Sequence, residues 1–366
     1  MKAIVVGGGI LGVSTAHQLV KRGAEVTLVS DQGLASGASG RSLSWLNSSA
    51  ARSPEYHRLR MLGIDRYRTL SARHPGADWL RFDGGLRWTA TSEELSALVV
   101  HQKAVGYAAE WLSADEIARV APQVEASAVP EHGAVFNPGE GWVDLPSLID
   151  LLVGQFTGYG GDLVVDAGPA TVVTVGDRVT GAETESGRSF GADVVVLATG
   201  ADVPAALRRL GVRMGDQTSS GLVVRTERTA VELRAVLNTP RVSIRPAPAG
   251  VLVLDAEWAE NEVVRQEVGL RVNDSTVDSL LREARAVLAG NPGLTVASVA
   301  AGPKPIPGDG EPVLGPVDGI GGCHVAFTHS GATIGLIAGE LLAEQIVSGQ
   351  QHPLLAAYRP GRFAAQ

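Results

Sequence analysis

KAIVVGGGILG, residues 2–12, decides the fold. Lys2 to Val6 is a short apolar run suited to a buried parallel strand, and Gly7, Gly9 and Gly12 follow it at GxGxxG spacing. They open a helical stretch from Ile10 to Arg22, which Gly23 ends, and AEVTLVS at 24–30 supplies a second strand. One complete βαβ unit results. Gly7 permits the tight turn, Gly9 lets backbone approach a pyrophosphate on the helix N-terminus, and Gly12 allows close packing of helix on strand. Ile10 and Leu11 belong to the same cofactor-binding turn. A ribose-binding carboxylate is expected where the second strand ends, at Ser30 or, one residue later, Asp31. Asp31, the ionised acceptor, is preferred.

Working outward, GLASGASGRSLSWLNSS (33–49) offers many backbone and hydroxyl donors around Arg41 for phosphate oxygens. Val194 to Ala198 is a continuous apolar run ending in Thr199 and Gly200, where the lack of bulk would let a cofactor lie against the strand end. Between these lie a polar helix from Pro54 to Arg73, a strand-like LRFDGGLRWTAT (80–91) and a helix over 92–105. An N-cap signature at Ser113–Glu116 and a helix over 145–157 follow. GLVVRTE, RVSIRPAP, VLVLDAEW and LTVASVAA, with a helix around Thr276–Ala289, point to an antiparallel sheet. A strand HVAFTH and a helix from Gly331 to about Ile346 end the pattern. Nucleotide-fold signals thus stand at the start, middle and end of the chain. The expected fold is α/β, with a discontinuous Rossmann-like cofactor domain (1–50, 140–205, 300–366) and a second α+β substrate domain (51–139, 206–299) on an antiparallel sheet.

Composition narrows the function. The chain has 366 residues, long enough for two domains, and its 45% hydrophobic and 19% charged residues give a globular balance. The apolar runs fall short of the roughly 20 residues of a membrane helix, and a net charge of −8 gives no basic stripe for nucleic acid. The single cysteine, Cys323, excludes an intramolecular disulfide framework and a cysteine-built metal site, and suits the cytoplasm. No targeting segment is read at the N-terminus and no metal is expected. Small-molecule chemistry remains as the expectation, and the oligomeric state stays open.

Four segments together, GGGILG (7–12), SGASGRS (36–42), ADVVVLATG (192–200) and the pair AGPKPIPGDGEPVLG and THSGATIGL (301–315, 328–336), resemble the FAD-dependent amino-acid and amine oxidoreductases. That superfamily includes the D-amino acid, glycine and sarcosine oxidases. The resemblance implies FAD as cofactor. It places Ser39, Arg41 and Ser42 under the phosphates and ribityl chain, Val172 at the adenine, and Ala198, Thr199 and Gly200 beside the cofactor. Gly331, Ala332, Thr333 and Ile334 would start the helix facing the pyrimidine edge of the flavin, whose developing negative charge a helix N-terminus stabilises. Lys304 occupies the position of an arginine that grips substrate carboxylate in glycine-oxidase-like members. A lysine offers a point charge where the arginine offers a planar fork. Arg245 is a second cationic candidate, and His329, just before the flavin-facing helix, a third catalytic candidate. Members with covalent flavin attach it through a cysteine of the C-terminal motif; Cys323 lies outside that position, so noncovalent FAD is expected.

The implied reaction is oxidation of a C–N bond in an amine or amino acid by hydride transfer to the flavin, giving an imine. Two alternatives stay open. One is a flavin-dependent tailoring oxidase acting on another bond of a larger biosynthetic intermediate; the other is a noncatalytic FAD-bearing subunit. His57, Trp45, Trp88 and Trp142 are candidate pocket walls, or ordinary core anchors.

Overall fold

A computed structural model describes residues 1–267 and 269–363. The chain divides into two compact units, the first formed by 1–40, 145–219 and 303–366, the second by 41–144 and 220–302. The chain therefore crosses at 40/41, 144/145, 219/220 and 302/303, where 50/51, 139/140, 205/206 and 299/300 were expected, so that Arg41 to Ala50 fall in unit 2 and Ala206 to Ser219 in unit 1.

Unit 1 is built on a six-stranded sheet. Strand β1 (Lys2–Val6) lies between β2 (Glu25–Val29) and the strand Val194–Leu197, all parallel, with Asp162–Val164 outside β2. Beyond Val194–Leu197 comes the parallel strand Cys323–Phe327, then the antiparallel Val313–Pro316. Every residue of Val194–Leu197 and all but the first of β1 are buried, as their unbroken apolar sequence requires; on one face Ile4, Val6, Val195 and Leu197 pack with Val179 and Ala182 of a three-stranded sheet. Helix α1 (Ile10–Lys21) packs against the helices Leu145–Gly158 and Gly331–Ser348. Small residues set that approach: a Cβ on Gly335 would come 2.6 Å from Ile10 Cγ1, and one on Gly339 would overlap Ser14 Oγ.

Unit 2 carries an eight-stranded sheet, mainly antiparallel as expected but with one parallel pair, Val236–Asn238 beside Gly85–Arg87. Strand alternation divides its two faces. Leu86, Val224, Leu237, Ile244, Leu252 and Leu254 share an apolar cluster with Leu280, Leu281 and Ala284 of the helix Asp274–Val287. Cross-strand register puts Arg87, Asn238, Ser243, Asp255, Arg245 and Arg225 together on the opposite face. The strand expected over 80–91 is broken. Leu80–Arg81 joins a separate three-stranded sheet with Trp45–Leu46 and Gly141–Val143, whereas Gly85–Arg87 joins the large sheet. Gly84, at φ +88°, makes the break where a side chain would strike the ring of Phe136. The Ser113 signature forms a full capping box with Glu116.

Candidate functional site

The glycine turn of unit 1 is dictated by close backbone contacts. Gly7 sits at φ +126° and a Cβ there would overlap the Ala198 carbonyl oxygen, so the turn after β1 interlocks with the end of Val194–Leu197. A Cβ on Gly12 would overlap the Gly7 carbonyl oxygen, which is why α1 can start so near β1. Gly9 is different: a Cβ there would meet only Ser39 Oγ, at 3.1 Å. That hydroxyl accepts the N–H of Ile10 at 3.0 Å, so Ser39 closes over the first turn of α1. Gly8 was not singled out from the sequence, yet a Cβ on it would overlap Ser30 Oγ. The unbroken run of three glycines, Gly7 to Gly9, was the available signal.

Ser30 is 1% exposed, and its hydroxyl is buried without a hydrogen-bond partner among the described residues. The same holds for Thr199 Oγ1. Asp31 is exposed and lies close enough to help hold the Asp202 carboxyl above its usual range, an effect led by burial of Asp202 and opposed by Arg209. A cradle of glycines with two orphaned buried hydroxyls fits the pyrophosphate and ribose end of a dinucleotide. Val172 packs against the cluster that holds Val29 and Ala167. It faces Ala182 in a small three-stranded sheet, and the backbone bonded to Ser30 and Asp31 is Val164 to Gly168.

The helix Gly331–Ser348 starts beside α1, because a Cβ on Gly331 would lie 3.3 Å from Ile10 Cγ2. Two helix N-termini therefore converge at the carboxyl end of β1 and the strands parallel to it, each presenting partial positive charge. Ala332 is half-buried, while Thr333 and Ile334 are buried. His329 is exposed on the turn before this helix, and Lys304 is half-buried at the end of the strand Val296–Lys304. Cys323 is fully buried at the start of its strand, four residues before the carboxyl end, and burial pushes its thiol up to about 12.

Arg41 and Ser42 fall in unit 2, across the crossing from Ser39. The Arg41 guanidinium lies over Gly302, where a Cβ would overlap it, and burial draws its pKa below the ordinary arginine value. Ser42 Oγ accepts the Ser44 N–H at 2.9 Å.

Unit 2 also holds a buried network that sequence reasoning missed. Glu140 is fully buried; its carboxylate accepts Trp45 Nε1–H at 2.8 Å and the Tyr107 hydroxyl at 2.7 Å. Burial pushes its carboxyl up to about 8, opposed by those two hydrogen bonds and by Arg60 and Arg87. Tyr107 accepts the Ser48 N–H at 3.0 Å, Arg60 Nε donates to Asn47 O at 2.8 Å, and Gln102 Nε2 donates to Ser49 O at 3.0 Å. His57 Nδ1 lies 2.8 Å from Ser48 Oγ. The segment 45–49 is thus held by buried side chains from distant parts of unit 2. Trp88 belongs to the apolar cluster of the other sheet face and is a core anchor. Trp142 pairs with Trp45 across two strands and lies under Arg245, whose guanidinium carbon is 5.2 Å from the ring centre.

Among the described residues no helix is long and apolar enough to cross a membrane, and no cluster of three or more His, Cys, Asp or Glu is placed to hold a metal.

Comparison with known proteins adds the chemistry of a family. A profile described as "FAD dependent oxidoreductase", DAO, matches residues 2–345. A glycine oxidase of Bacillus licheniformis is 23% identical over 352 residues, 94% of this chain and 92% of that protein. Among solved structures, glycine oxidase from Bacillus cereus superposes with a TM-score of 0.83 at 23% identity, covering 97% of each chain. Iminodiacetate oxidase from Chelativorans sp. gives 0.82 at 22% identity over 98% of each. These structural likenesses are likenesses of fold.

Proposed function

Because the chain belongs to the DAO family of FAD-dependent oxidoreductases, we propose that it oxidises the C–N bond of a small amine or amino acid to an imine. The observation that carries this reading is the convergence of two helix N-termini over the glycine turn of unit 1. Each favours nearby negative charge by about 0.3–1 kcal/mol, and more where it is partly buried. One suits the cofactor pyrophosphate and the other the charge that builds on a reduced flavin. Glycine oxidase and iminodiacetate oxidase are also named for compounds that carry C–N bonds.

In this reading Gly7, Gly9, Ile10, Leu11 and Gly12 hold the pyrophosphate, with Ser39 fixing the first turn. Ser30 and Asp31 take the ribose, and Ala198, Thr199 and Gly200 form the wall beside it. The start of the helix at Gly331, Ala332, Thr333 and Ile334 faces the flavin edge. Bound FAD supplies the acceptor for two electrons and the Cα hydrogen. Lys304 contributes positive charge that favours the uncharged amine, the form whose lone pair can assist loss of that hydrogen. Water then adds to the imine carbon and the C–N bond breaks, leaving a carbonyl compound and a free amine. FAD is held noncovalently, since Cys323 lies roughly 13 Å back along its strand from the carboxyl end.

Product analysis tests the bond assignment. Mass spectrometry should find a carbonyl compound and released amine in equal amounts. A product that keeps its nitrogen and is oxidised at another bond would contradict it and favour the tailoring alternative.

A further inference from the structure

Residues 305–312 of unit 1 join Lys304 to the strand Val313–Pro316. Antiparallel register sets Val313 opposite Phe327, so this loop lies at the carboxyl end of Cys323–Phe327, the edge at which the helix Gly331–Ser348 begins. Pro305, Pro307 and Pro312 have no N–H to donate, so much of the loop's shape depends on what grips it from outside.

The first grip is largely backbone. Gln217 N–H donates to the Ile306 carbonyl at 2.9 Å, Gly308 N–H donates to the Gly215 carbonyl at 2.8 Å, and Gln217 Nε2 donates to the Gly308 carbonyl at 2.7 Å. The two glycines touch: a Cβ on Gly308 would lie 2.6 Å from Gly215 Cα. The second grip comes from the segment 359–363. Arg362 Nε donates to Asp309 Oδ2 at 2.7 Å, and its Nη2 donates to Asp309 Oδ1 at 3.0 Å and to the Glu311 carbonyl at 3.1 Å. The planar fork thus fixes a carboxylate and the backbone of the turn together.

Arg362 is itself held. Its Nη1 donates to the Arg359 carbonyl at 3.3 Å, its guanidinium carbon lies 4.5 Å from the Phe363 ring centre, and Arg359 pairs with Asp318. Phe363 in turn backs the first grip, since a Cβ on Gly215 would lie 2.9 Å from its Cε1. Arg362 on Asp309 and Phe363 on Gly215 therefore join the two grips around one loop. Lys304 follows its movement closely. It stands between Pro303 and Pro305, which restrict the backbone on both sides, and two residues from the pinned Ile306.

We propose that Arg362 is a positioning residue: by holding Asp309 and Glu311 it fixes the loop 305–312, and with it Lys304 at the loop's first end. The inference deepens the C–N oxidation reading and rests on it for the role of Lys304.

The test reads loop and lysine separately in holo-protein. In Arg362→Ala, hydrogen exchange of a peptide spanning 305–312 should quicken about threefold to tenfold, while exchange in α1 stays unchanged. Reductive methylation with ¹³C-formaldehyde labels Lys2, Lys21, Lys103 and Lys304, and the Lys304 resonance is the one absent from Lys304→Met. That resonance should move in Arg362→Ala while those of Lys2, Lys21 and Lys103 stay. With the amine that reduces the flavin fastest, kcat/KM should fall about threefold to tenfold, and Arg362→Ala should lower it no further in Lys304→Met. Should Arg362→Ala fail to fold, Asp309→Asn, which keeps the shape and removes the charge, gives the same readings. Unchanged exchange at 305–312, a Lys304 resonance that stays in place, or an equal loss of kcat/KM with and without Lys304 would overturn the positioning role. Exchange and resonance both moving in a protein that oxidises no amine would support that role and defeat the C–N reading alone.

Discussion

The glycine turn of unit 1 and the polar sheet face of unit 2 are built on opposite principles. In the turn, backbone sets the geometry: Gly7 and Gly12 leave no room for a side chain because carbonyl oxygens stand where a Cβ would be. On the sheet face and the network beside it, buried ionisable side chains such as Arg245 and Glu140 set it, each held by a few directed contacts. The first design is rigid and indifferent to pH. The second is adjustable by single substitutions and carries groups that titrate.

The largest expected effect lies in the turn. Gly12→Val should abolish FAD retention, because the side chain collides with backbone that has no alternative path; flavin absorbance of the purified protein checks it. Gly9→Ala should leave the fold intact, since within the protein its Cβ meets only the Ser39 hydroxyl, and should weaken FAD retention, since it fills the space where the pyrophosphate approaches. A Gly9→Ala protein as destabilised as Gly12→Val would break the distinction between rigid and yielding positions. Next comes Lys304→Met. For an anionic substrate it should raise the apparent binding constant about ten- to a hundredfold and leave FAD content unchanged, as titration of both would show.

Glu140 sharpens the comparison through pH. Its folded value of about 8 lies above the ordinary 4.5, so the native state binds a proton that the unfolded chain releases between those values. The stability it confers is fully present below the unfolded value and is lost as pH rises through the folded one. Glu140→Gln should flatten that decline, visible in melting temperatures taken from about pH 5 to 9. A parallel decline in both proteins would show that Glu140 is ionised throughout. The smallest effect is at the C-terminal tail, where Arg362 reaches Asp309 with two bonds of 2.7 and 3.0 Å and holds that carboxyl below its usual range despite burial. Arg362→Ala should lower the melting temperature by only about 2 °C, since partly exposed pairs contribute about 1 kcal/mol or less.

What could be read in advance follows the same division. The βαβ unit at 2–29, the helix Pro54–Arg73 and the helix starting at Gly331 were legible because each depends on local periodicity and nearby glycines. Ser39 was legible only through the motif it shares with a family. Glu140 was not, because it sits in a Pro-Gly-Glu-Gly stretch that looks like a solvated turn, and its partners Trp45 and Tyr107 are 95 and 33 residues away. Arg245 could be named as a cation, but its burial on Trp142 depends on strands from different parts of unit 2. The bonding of Val164 to Gly168 with Ser30 and Asp31 at the end of β2 has no local signal either, since the partners are more than 130 residues apart.

The central claim, that this chain uses FAD to oxidise a C–N bond, is tested most directly by mixing oxygen-free holo-protein with a panel of amines and amino acids. Loss of the oxidised-flavin absorbance with at least one member is the expected result, followed by its return when oxygen or an artificial electron acceptor is admitted. A flavin that stays oxidised with every member, in protein that chemical reductant bleaches normally, would contradict it.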